Sequence, residues 1–360
     1  MIVFGLLTIP HFAVASAPPL SVDAIVTRYV DAIGGRAKLD AIRNVVIRGS
    51  YAENGQSMPA VVARMRPFYK LVGDPLHRSS DFEEGYDGSA WEFYGDPGVV
   101  LRTVGPAAAA ARHGLYILGN LVDYRKQGSS VSLVGMAKIA NRNAWQLRVH
   151  MMDGFEQDEF VDAETFLIIA DRKVAKIHAF GADVPSETRW SDYRRVNGVL
   201  LAFRNSEVET ATGKELDVFQ ANSIEVNANL DASMFAPPRV AQAPVRTLIR
   251  QLYDEREDVN AVLWTLHDFR NAYPAADTDA ALQVIGYQIL KMGDVSSAIA
   301  LLESNCRDYP RSSNAAFGLG RAYQSAGRTE DARRELQAAL RLDSNNRRAR
   351  KALTELSAHP

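Results

Sequence analysis

Residues 285–302 read IGYQILKMGDVSSAIALL and residues 319–336 read LGRAYQSAGRTEDARREL, and these two related segments decide how the chain is divided. Gly293 in the first segment corresponds to Gly327 in the second, at an interval of 34 residues. The alanine and leucine residues that follow each glycine recur at the same interval. This period is typical of repeated helix pairs. The sequence therefore predicts an all-α repeat array, which has no catalytic chemistry of its own.

The boundary of this array is predicted between Asn229 and Pro244, a stretch rich in Pro, Ala and Gln. Pro237-Pro238 excludes regular structure within it. We therefore expect two domains after an N-terminal signal, one spanning residues 18–237 and one spanning residues 238–360. The segment from Arg347 to Leu356 is predicted to be a terminal capping helix.

The first of these domains carries the pattern of antiparallel strands. From Trp145 to Met151 every odd position is apolar and most even positions are polar, the period of a sheet with one solvated face. Asp87-Gly88 and Asn197-Gly198 predict tight hairpin turns. The segment from Pro106 to Leu121, with its alanine run, predicts a short helix against the sheet. The predicted fold class is α+β: an incomplete antiparallel β-barrel with helices on its concave face, followed by the α-helical array.

The first seventeen residues indicate export. Ile2 to Ile9 is apolar but too short to span a bilayer, and Ala13-Val14-Ala15 has the small residues of a cleavage site. Residues 1–17 are therefore predicted to be a signal peptide. The expected location is periplasmic or secreted, with no transmembrane span after cleavage.

Composition excludes several other classes of protein. The formal net charge of -2 argues against a nucleic-acid partner, and the single cysteine, Cys306, excludes an internal disulfide framework. No two histidines lie at metal-ligand spacing, and the carboxylates Glu156, Asp158 and Glu159 lack the glycine of a known calcium loop. We expect no metal and no cofactor. The histidines are His11, His77, His113, His150, His178, His267 and His359.

The strand-rich domain contains several short motifs: Tyr29–Gly35 followed by Ile42–Gly49, Gly85–Gly88 with Trp91, Phe160–Thr165, Asp192–Gly198 and Ala232–Pro237. These motifs resemble those of the LolA/LolB superfamily of outer-membrane lipoprotein carriers. The resemblance implies an incomplete antiparallel barrel closed by helices over an apolar cavity. It also implies a lipid-like ligand or a lipoprotein acyl chain.

The apolar side chains expected to line such a cavity alternate along the predicted strands or lie in the insertion. A filled core is the alternative interpretation of the same residues, and the sequence leaves both open. The candidate lining residues are Trp91, Phe93, Tyr116, Leu118, Trp145, Leu147, Val149, Met151, Phe160 and Phe166.

The repeat segments resemble tetratricopeptide (TPR) repeats. Leu319, Gly320, Tyr323 and Ala332 stand where that family has them. The resemblance implies a groove that binds a protein partner, and by analogy its wall is lined by Gln283, Tyr287, Lys291, Asn314, Phe317, Arg321 and Gln324. Together the two resemblances predict a non-enzymatic, exported binding protein.

Two alternatives remain at this stage. In the first, the chain is a TPR scaffold or adaptor in envelope assembly with a solid β-domain. In the second, the acidic cluster of Asp81, Glu83, Glu84 and Asp87 is a paired-carboxylate hydrolytic site. A charged edge and hairpin turn is the plainer interpretation of that cluster.

Overall fold

The computed structural model of the chain describes residues 20–53, 56–73, 82–95, 98–103, 108, 112–113, 115–173, 186–210, 213–240 and 243–358. The predicted signal peptide, Asp81 and four of the histidines lie outside these residues. These histidines are His11, His77, His178 and His359.

Two short helices open the described chain, α1 (Val22–Ala32) and α2 (Arg36–Asp40). Ser21 caps α1, because its hydroxyl accepts a hydrogen bond from the backbone N–H of Ala24 at 3.2 Å. Gly34 follows the helix with a φ of 138°, a conformation that residues with a side chain rarely adopt. The chain therefore turns sharply after α1 and returns to the sheet.

The described strands form one antiparallel sheet. Its order is β6-β5-β4-β3-β2-β1-β13-β12-β11-β10-β9-β8-β7. The strands are β1 (Asn44–Glu53), β2 (Gln56–Met65), β3 (Phe68–Gly73), β4 (Phe82–Tyr86), β5 (Ala90–Tyr94), β6 (Val99–Arg102), β7 (Ser130–Ile139), β8 (Arg142–His150), β9 (Glu156–Asp162), β10 (Ile168–Lys173), β11 (Ser186–Val196), β12 (Val199–Glu209) and β13 (Glu215–Val226).

This topology consists of two meanders joined by the pairing of β1 with β13. The predicted turns at Asp87-Gly88 and Asn197-Gly198 join β4 to β5 and β11 to β12. The α+β prediction is confirmed. The sheet is open, with β6 and β7 at its edges, and is not closed into a barrel.

Because β6 and β7 lie at opposite edges, the segment that joins them has to cross one face of the sheet. We call residues 103–129 the crossover segment, and the face that it shares with α1 the inner face. In its described part Leu121 and Val122 are almost fully buried, together with Ile117 and Leu118. They pack with residues of α1 and of strands β8, β9 and β12 in one core cluster.

The helix predicted from Pro106 to Leu121 is wrong for the described residues 115–121, which form turns. Gly119 has a φ of 81°, which a helix does not accommodate. The described residues in or next to the alanine run, Ala108, Arg112 and His113, are helical, so the prediction fails only for the part that follows them.

A short 3₁₀ helix (Ala232–Phe235) follows β13, and the described residues from Ala236 to Val240 are irregular. The helical array then consists of α3 (Pro244–Asp254), α4 (Val259–Ala272), α5 (Asp279–Lys291), α6 (Val295–Asp308), α7 (Ser313–Ser325), α8 (Thr329–Leu342) and α9 (Arg347–Ala358). Helices α3, α5, α7 and α9 contact one another in that order and form one wall of the array.

Small residues let the paired helices of each repeat approach closely. A Cβ atom on Gly286 of α5 would lie 2.7 Å from a methyl carbon of Leu302 on α6. One on Gly320 of α7 would lie 2.8 Å from Leu336 on α8, 34 residues later in the chain. The spacing seen in the sequence is therefore the spacing of these helix contacts.

We predict that Ala332→Leu destabilises the array. Ala332 is 0% exposed on α8, so additional methylene groups force the helices apart, at a cost of about 1–3 kcal/mol in the free energy of unfolding. Urea denaturation measures this cost. Gln337→Leu is the control, because Gln337 is exposed on the same helix and a surface change costs about 0.5 kcal/mol or less. Equal effects of the two substitutions would contradict the packing described here.

Candidate functional site

A cavity of about 300 Å³ lies on the inner face of the sheet, beneath α1 and the crossover segment. Tyr29 of α1 and Ile33, the residue that follows this helix, form part of its lining. The hydroxyl group of Tyr29 donates a hydrogen bond to the carbonyl oxygen of Leu118 at 3.4 Å and so joins α1 to the crossover segment. The apolar residues of the remaining wall include Val45, Ile47, Ile117, Leu118, Ile168, Leu200, Leu201 and Ile224.

The candidate lining residues from the sequence fall into three places. Tyr116 and Leu118 line the cavity. Leu147 and Val149 are fully buried in the core cluster of the inner face, with Trp145, Met151 and Phe166 packed against it. The other three lie elsewhere. The inner face therefore holds both a filled core and a cavity.

Trp91, Phe93 and Phe160 are not brought to the cavity. The indole N–H of Trp91 donates to the carbonyl oxygen of Phe235 at 3.1 Å, and Phe93 lies on the same strand, β5, near the other edge of the sheet. Phe160 belongs to a small separate cluster, and the Arg172 guanidinium lies 4.7 Å from the centre of its ring. Strand alternation alone could not show which face each aromatic residue occupies.

One wall of the cavity carries two buried carboxyl groups. Glu159 on β9 and Asp171 on β10 are directly paired across the strands, and each is 3% exposed. The amide group of Gln157 donates to Glu159 Oε1 at 2.9 Å, and Asn120 donates a second hydrogen bond to Glu159. Trp190 Nε1 donates to Asp171 Oδ2 at 2.7 Å. Like charges that face each other across strands are destabilising, so this arrangement is unusual for a sheet interior.

A β-bulge places Asp171 in this wall. The register of β10 shifts between Ile168 and Ala170, so that Asp171 shares the inner face with Ile168. Without the extra residue, strict alternation would turn Ala170 and Arg172 inward instead. Neither the bulge nor the buried carboxyl pair was predicted from the sequence, where Glu159 was considered only as part of an acidic run.

Burial and the neighbouring Asp171 carboxylate raise the pKa of Glu159 to about 8. Burial is the larger cause, and Lys173 and the hydrogen bonds from Gln157 and Asn120 oppose it. Glu159 is therefore mostly protonated at neutral pH. Burial and the nearby Glu159 also raise the pKa of Tyr193, whose hydroxyl group donates to the carbonyl oxygen of Ile168 at 2.6 Å.

The cavity also has basic residues in its lining. Arg64 lies in β2, its Nε atom has no hydrogen-bond partner among the described residues, and burial lowers its pKa. His113 contacts Asp153 Oδ2 through Nε2 at 2.7 Å and stacks on Phe155. The cavity thus combines an apolar body with polar groups on different strands.

A second polar cluster lies where the sheet meets the helical array. The carboxylate of Glu92 on β5 forms a buried ion pair with Lys291 of α5, and Gln288 and Tyr94 donate hydrogen bonds to it. Burial acts to raise the pKa of Glu92, but Lys291 and these hydrogen bonds outweigh it and lower that pKa. Val99 and Leu101 of β6 pack into the helical core beside it. The array is therefore docked on the β5–β6 end of the sheet.

The candidate groove residues lie on the wall formed by α5 and α7. Several of them contact either the sheet or the neighbouring helix α9. Lys291 pairs with Glu92, and the pKa of Tyr287 is raised by burial, with Glu92 and Glu84 nearby. On α7, Arg321 pairs with Glu355 of α9 at 2.7 Å, and the Arg348 guanidinium covers the ring of Phe317.

The remaining three have no hydrogen-bond partner among the described residues outside the array. Asn314 is exposed and accepts a hydrogen bond from Arg348 at 3.2 Å. The side chain of Gln283 lies against Gly318, and Gln324 is half-buried.

The acidic cluster suggested as a hydrolytic site does not bring two unpaired carboxylates together. Arg102 binds both carboxylate oxygens of Asp87 at 2.6 and 3.0 Å, and Lys70 pairs with Glu83 at 2.8 Å. The hydroxyl group of Tyr69 donates to Glu84 at 2.8 Å. Each described member of the cluster is thus engaged in the structure.

Metal, thiol and membrane features add no further candidate. Among the described residues no group of three or more His, Cys, Asp or Glu side chains could hold a metal ion. Burial raises the pKa of the Cys306 thiol to about 12, which disfavours the reactive thiolate. The described part of the chain also contains no helix with the length and apolar composition needed to cross a bilayer.

Comparison with known proteins gives one family match and several similar structures. Residues 290–356 match the family model of the tetratricopeptide repeat, which confirms the repeat prediction. A comparison with curated protein sequences finds no match.

Three solved structures are similar to part of this chain. A LolA superfamily protein from Nitrosomonas europaea is 11% identical and has a TM-score of 0.41, over 61% of this chain and 99% of that one. An outer-membrane lipoprotein-sorting protein domain from Vibrio parahaemolyticus is 9% identical (TM-score 0.39), over 53% and 88%. A DUF1329 family protein from Desulfovibrio piger is 12% identical (TM-score 0.38), over 60% and 97%.

We predict that Glu159→Gln changes the pH dependence of stability. The folded chain retains a proton on Glu159 between its usual pKa of 4.5 and about 8, whereas the unfolded chain does not. The free energy of unfolding of the natural protein therefore falls as pH rises through this range, by up to roughly 1.4 kcal/mol per pH unit from this group.

Glutamine does not titrate, so the variant should gain stability relative to the natural protein from about pH 5 to about pH 8 in urea denaturation. Glu164→Gln, at the exposed turn after β9, is the matched control and should not change the slope. Parallel curves for Glu159→Gln and the natural protein would contradict the assignment.

We also predict that Lys291→Met is strongly destabilising. It leaves the carboxylate of Glu92 buried without its cation, which costs about 3–5 kcal/mol in the free energy of unfolding. The double variant Glu92→Gln with Lys291→Met removes both charges and should recover most of this loss. Arg334→Met is the control, because Arg334 forms an exposed pair with Asp331 that contributes about 1 kcal/mol or less. Similar losses in the single and double variants would contradict the buried pairing.

Proposed function

We propose that this chain is a non-enzymatic binding protein whose sheet domain holds an apolar or lipid-like ligand and whose TPR domain binds a protein partner. The observation that supports this proposal most directly is the cavity of about 300 Å³ beneath α1 and the crossover segment. Because the first seventeen residues resemble a signal peptide, we propose that the protein acts in the periplasm.

The size and lining of the cavity suit one small amphiphile or a single acyl chain. The volume is at the lower end of the range for small-molecule pockets, roughly 300–1,000 Å³. Each methylene group that leaves water for such a lining contributes about 0.8 kcal/mol. The apolar lining residues, which include Val45 and Ile224, would hold the body of the ligand. Tyr116 and Leu118 of the crossover segment would cover it.

For the helical array, we propose a protein partner at the wall of α7 and α9. The α5 end of the same wall is occupied by the chain's own β5 through the contact of Lys291 with Glu92. A partner that used Phe317 and Arg321 would compete with Arg348 and Glu355 of α9.

The docked interface also favours one alternative, a TPR adaptor in envelope assembly whose sheet is only a platform for the helices. Under that alternative, filling the cavity would leave all binding unchanged. Ligand binding at the inner face therefore separates the two functions.

We predict that the natural protein binds the uncharged fluorescent probe phenylnaphthylamine and that Ala202→Phe weakens this binding severalfold. Ala202 is half-buried and lines the cavity, so a phenyl group there occupies ligand volume. Fluorescence titration measures the affinity, and mass spectrometry of solvent extracts shows whether lipid copurifies. Ala52→Phe is the matched control, because Ala52 is a half-buried strand residue outside the cavity lining.

The contrary outcome is a natural protein that neither binds the probe nor carries copurified lipid. That outcome would leave the adaptor as the better account. Equal affinities of the two phenylalanine variants for the probe would place the bound probe elsewhere.

A further inference from the structure

We propose that the wall of the cavity formed by Glu159, Asp171 and Asn120 binds a protonated amine, so that the ligand is an amphiphile with a cationic amino head group. This inference rests on the proposed function and specifies the ligand class. It is carried by the buried acceptor atoms of this wall and by the balance of charge around them.

The atoms of this wall that lack partners are hydrogen-bond acceptors. Asn120 is 7% exposed and lines the cavity, and its amide N–H donates to Glu159. Its Oδ1 atom is therefore the acceptor, and it has no partner among the described residues. Asp171 Oδ1 also accepts no hydrogen bond there, and its nearest cation is Lys173 Nζ at 3.5 Å. Buried polar atoms normally form hydrogen bonds, so we infer that a ligand donates hydrogen bonds to these oxygens.

The charge balance of the wall differs from that of the opposite face of the sheet, at strands β10 and β11. On the opposite face, the buried Glu187 is paired with both Arg172 and Arg189, at 2.6 and 2.7 Å. On the inner face, Lys173 is the cation that the described residues place beside Glu159 and Asp171, and Arg64 of the same lining lies over the ring of Tyr69. The other groups that face Glu159 from neighbouring elements are neutral: Gln157, Asn120, Tyr193 and Tyr29. When Glu159 is ionised as well as Asp171, one further cation is needed to balance the two carboxylates.

A primary ammonium group matches this wall. It offers three N–H donors and no acceptor, and the wall offers Glu159, Asp171 Oδ1 and Asn120 Oδ1. The arrival of a positive charge favours the ionised form of Glu159, so binding near neutral pH releases the Glu159 proton to solvent. The apolar tail would then lie along Ile33, Leu118 and Leu200.

The test compares dodecylamine, dodecanol and dodecanoate as competitors of phenylnaphthylamine on the full chain, below their aggregation limits. At neutral pH we expect dodecylamine to bind about tenfold more tightly than dodecanol. The reason is that the head group of dodecylamine is charged, and hydrogen bonds that involve a charged group are stronger than those of a neutral hydroxyl group. Dodecanoate should bind most weakly. The affinity for dodecylamine should increase from about pH 6 to about pH 8.5, where its amine stays protonated. Calorimetry in buffers of different ionisation enthalpy should show proton release.

Asp171→Asn and, independently, Glu159→Gln should each reduce the preference for dodecylamine over dodecanol. Glu159→Gln should also abolish proton release. The matched control is Asp158→Asn, on the same strand as Glu159 but paired with Arg148 on the other face. It should retain the preference.

Equal binding of dodecylamine and dodecanol would overturn this inference and leave the proposed function standing. Preference for dodecanoate would also overturn it, and would assign the head group to Arg64. A natural protein that does not bind phenylnaphthylamine at all, with no copurified lipid, would overturn the proposed function itself.

Discussion

The crossover segment is the constraint on which the rest of this structure depends. Two meanders joined through β1 and β13 leave β6 and β7 at opposite edges, so the chain between them must cross the sheet. A segment in that position has to bury apolar side chains on the inner face, and Leu121 and Val122 do so. Between this anchored part and the strands, Ile117 and Leu118 cover a volume that the sheet residues do not fill. The cavity thus arises from the topology.

The same topology explains why carboxyl groups on the two faces of this part of the sheet have different partners. On the outer face, long arginine side chains reach across neighbouring strands and pair with Glu187 and Asp158. On the inner face the crossover segment excludes solvent and contributes an amide, Asn120, instead of a cation. Desolvation therefore determines the protonation of Glu159 there, as it commonly does for carboxyl groups at ligand sites.

Local patterns in the sequence predicted the architecture well and the cavity only in part. Short-range geometry determines the alternation from Trp145 to Met151 and the glycine turns, so both can be recognised in the sequence. The interval between Gly293 and Gly327 likewise indicates a repeated helix contact. The lining depends on events that such patterns do not encode. The bulge in β10 brings Asp171 inward, and residues 115–121 of the crossover segment form turns where a continued helix was predicted. Residues such as Trp91 and Phe160 are apolar and alternate correctly, yet lie near the other edge or on the other face.

The interface between the sheet and the helical array includes one of the candidate groove residues, Lys291. By analogy with TPR repeats, Lys291 was predicted to lie on the partner-binding wall, and its cation does meet an anion there, the carboxylate of Glu92 in the same chain. A buried pair of this kind contributes little net stability but makes separation of its partners costly. The apolar residues Val99 and Leu101 supply the attraction, and the pair fixes the register of the contact. The array and the sheet are therefore held in one arrangement, and a partner bound at α7 would lie at a defined position relative to the cavity.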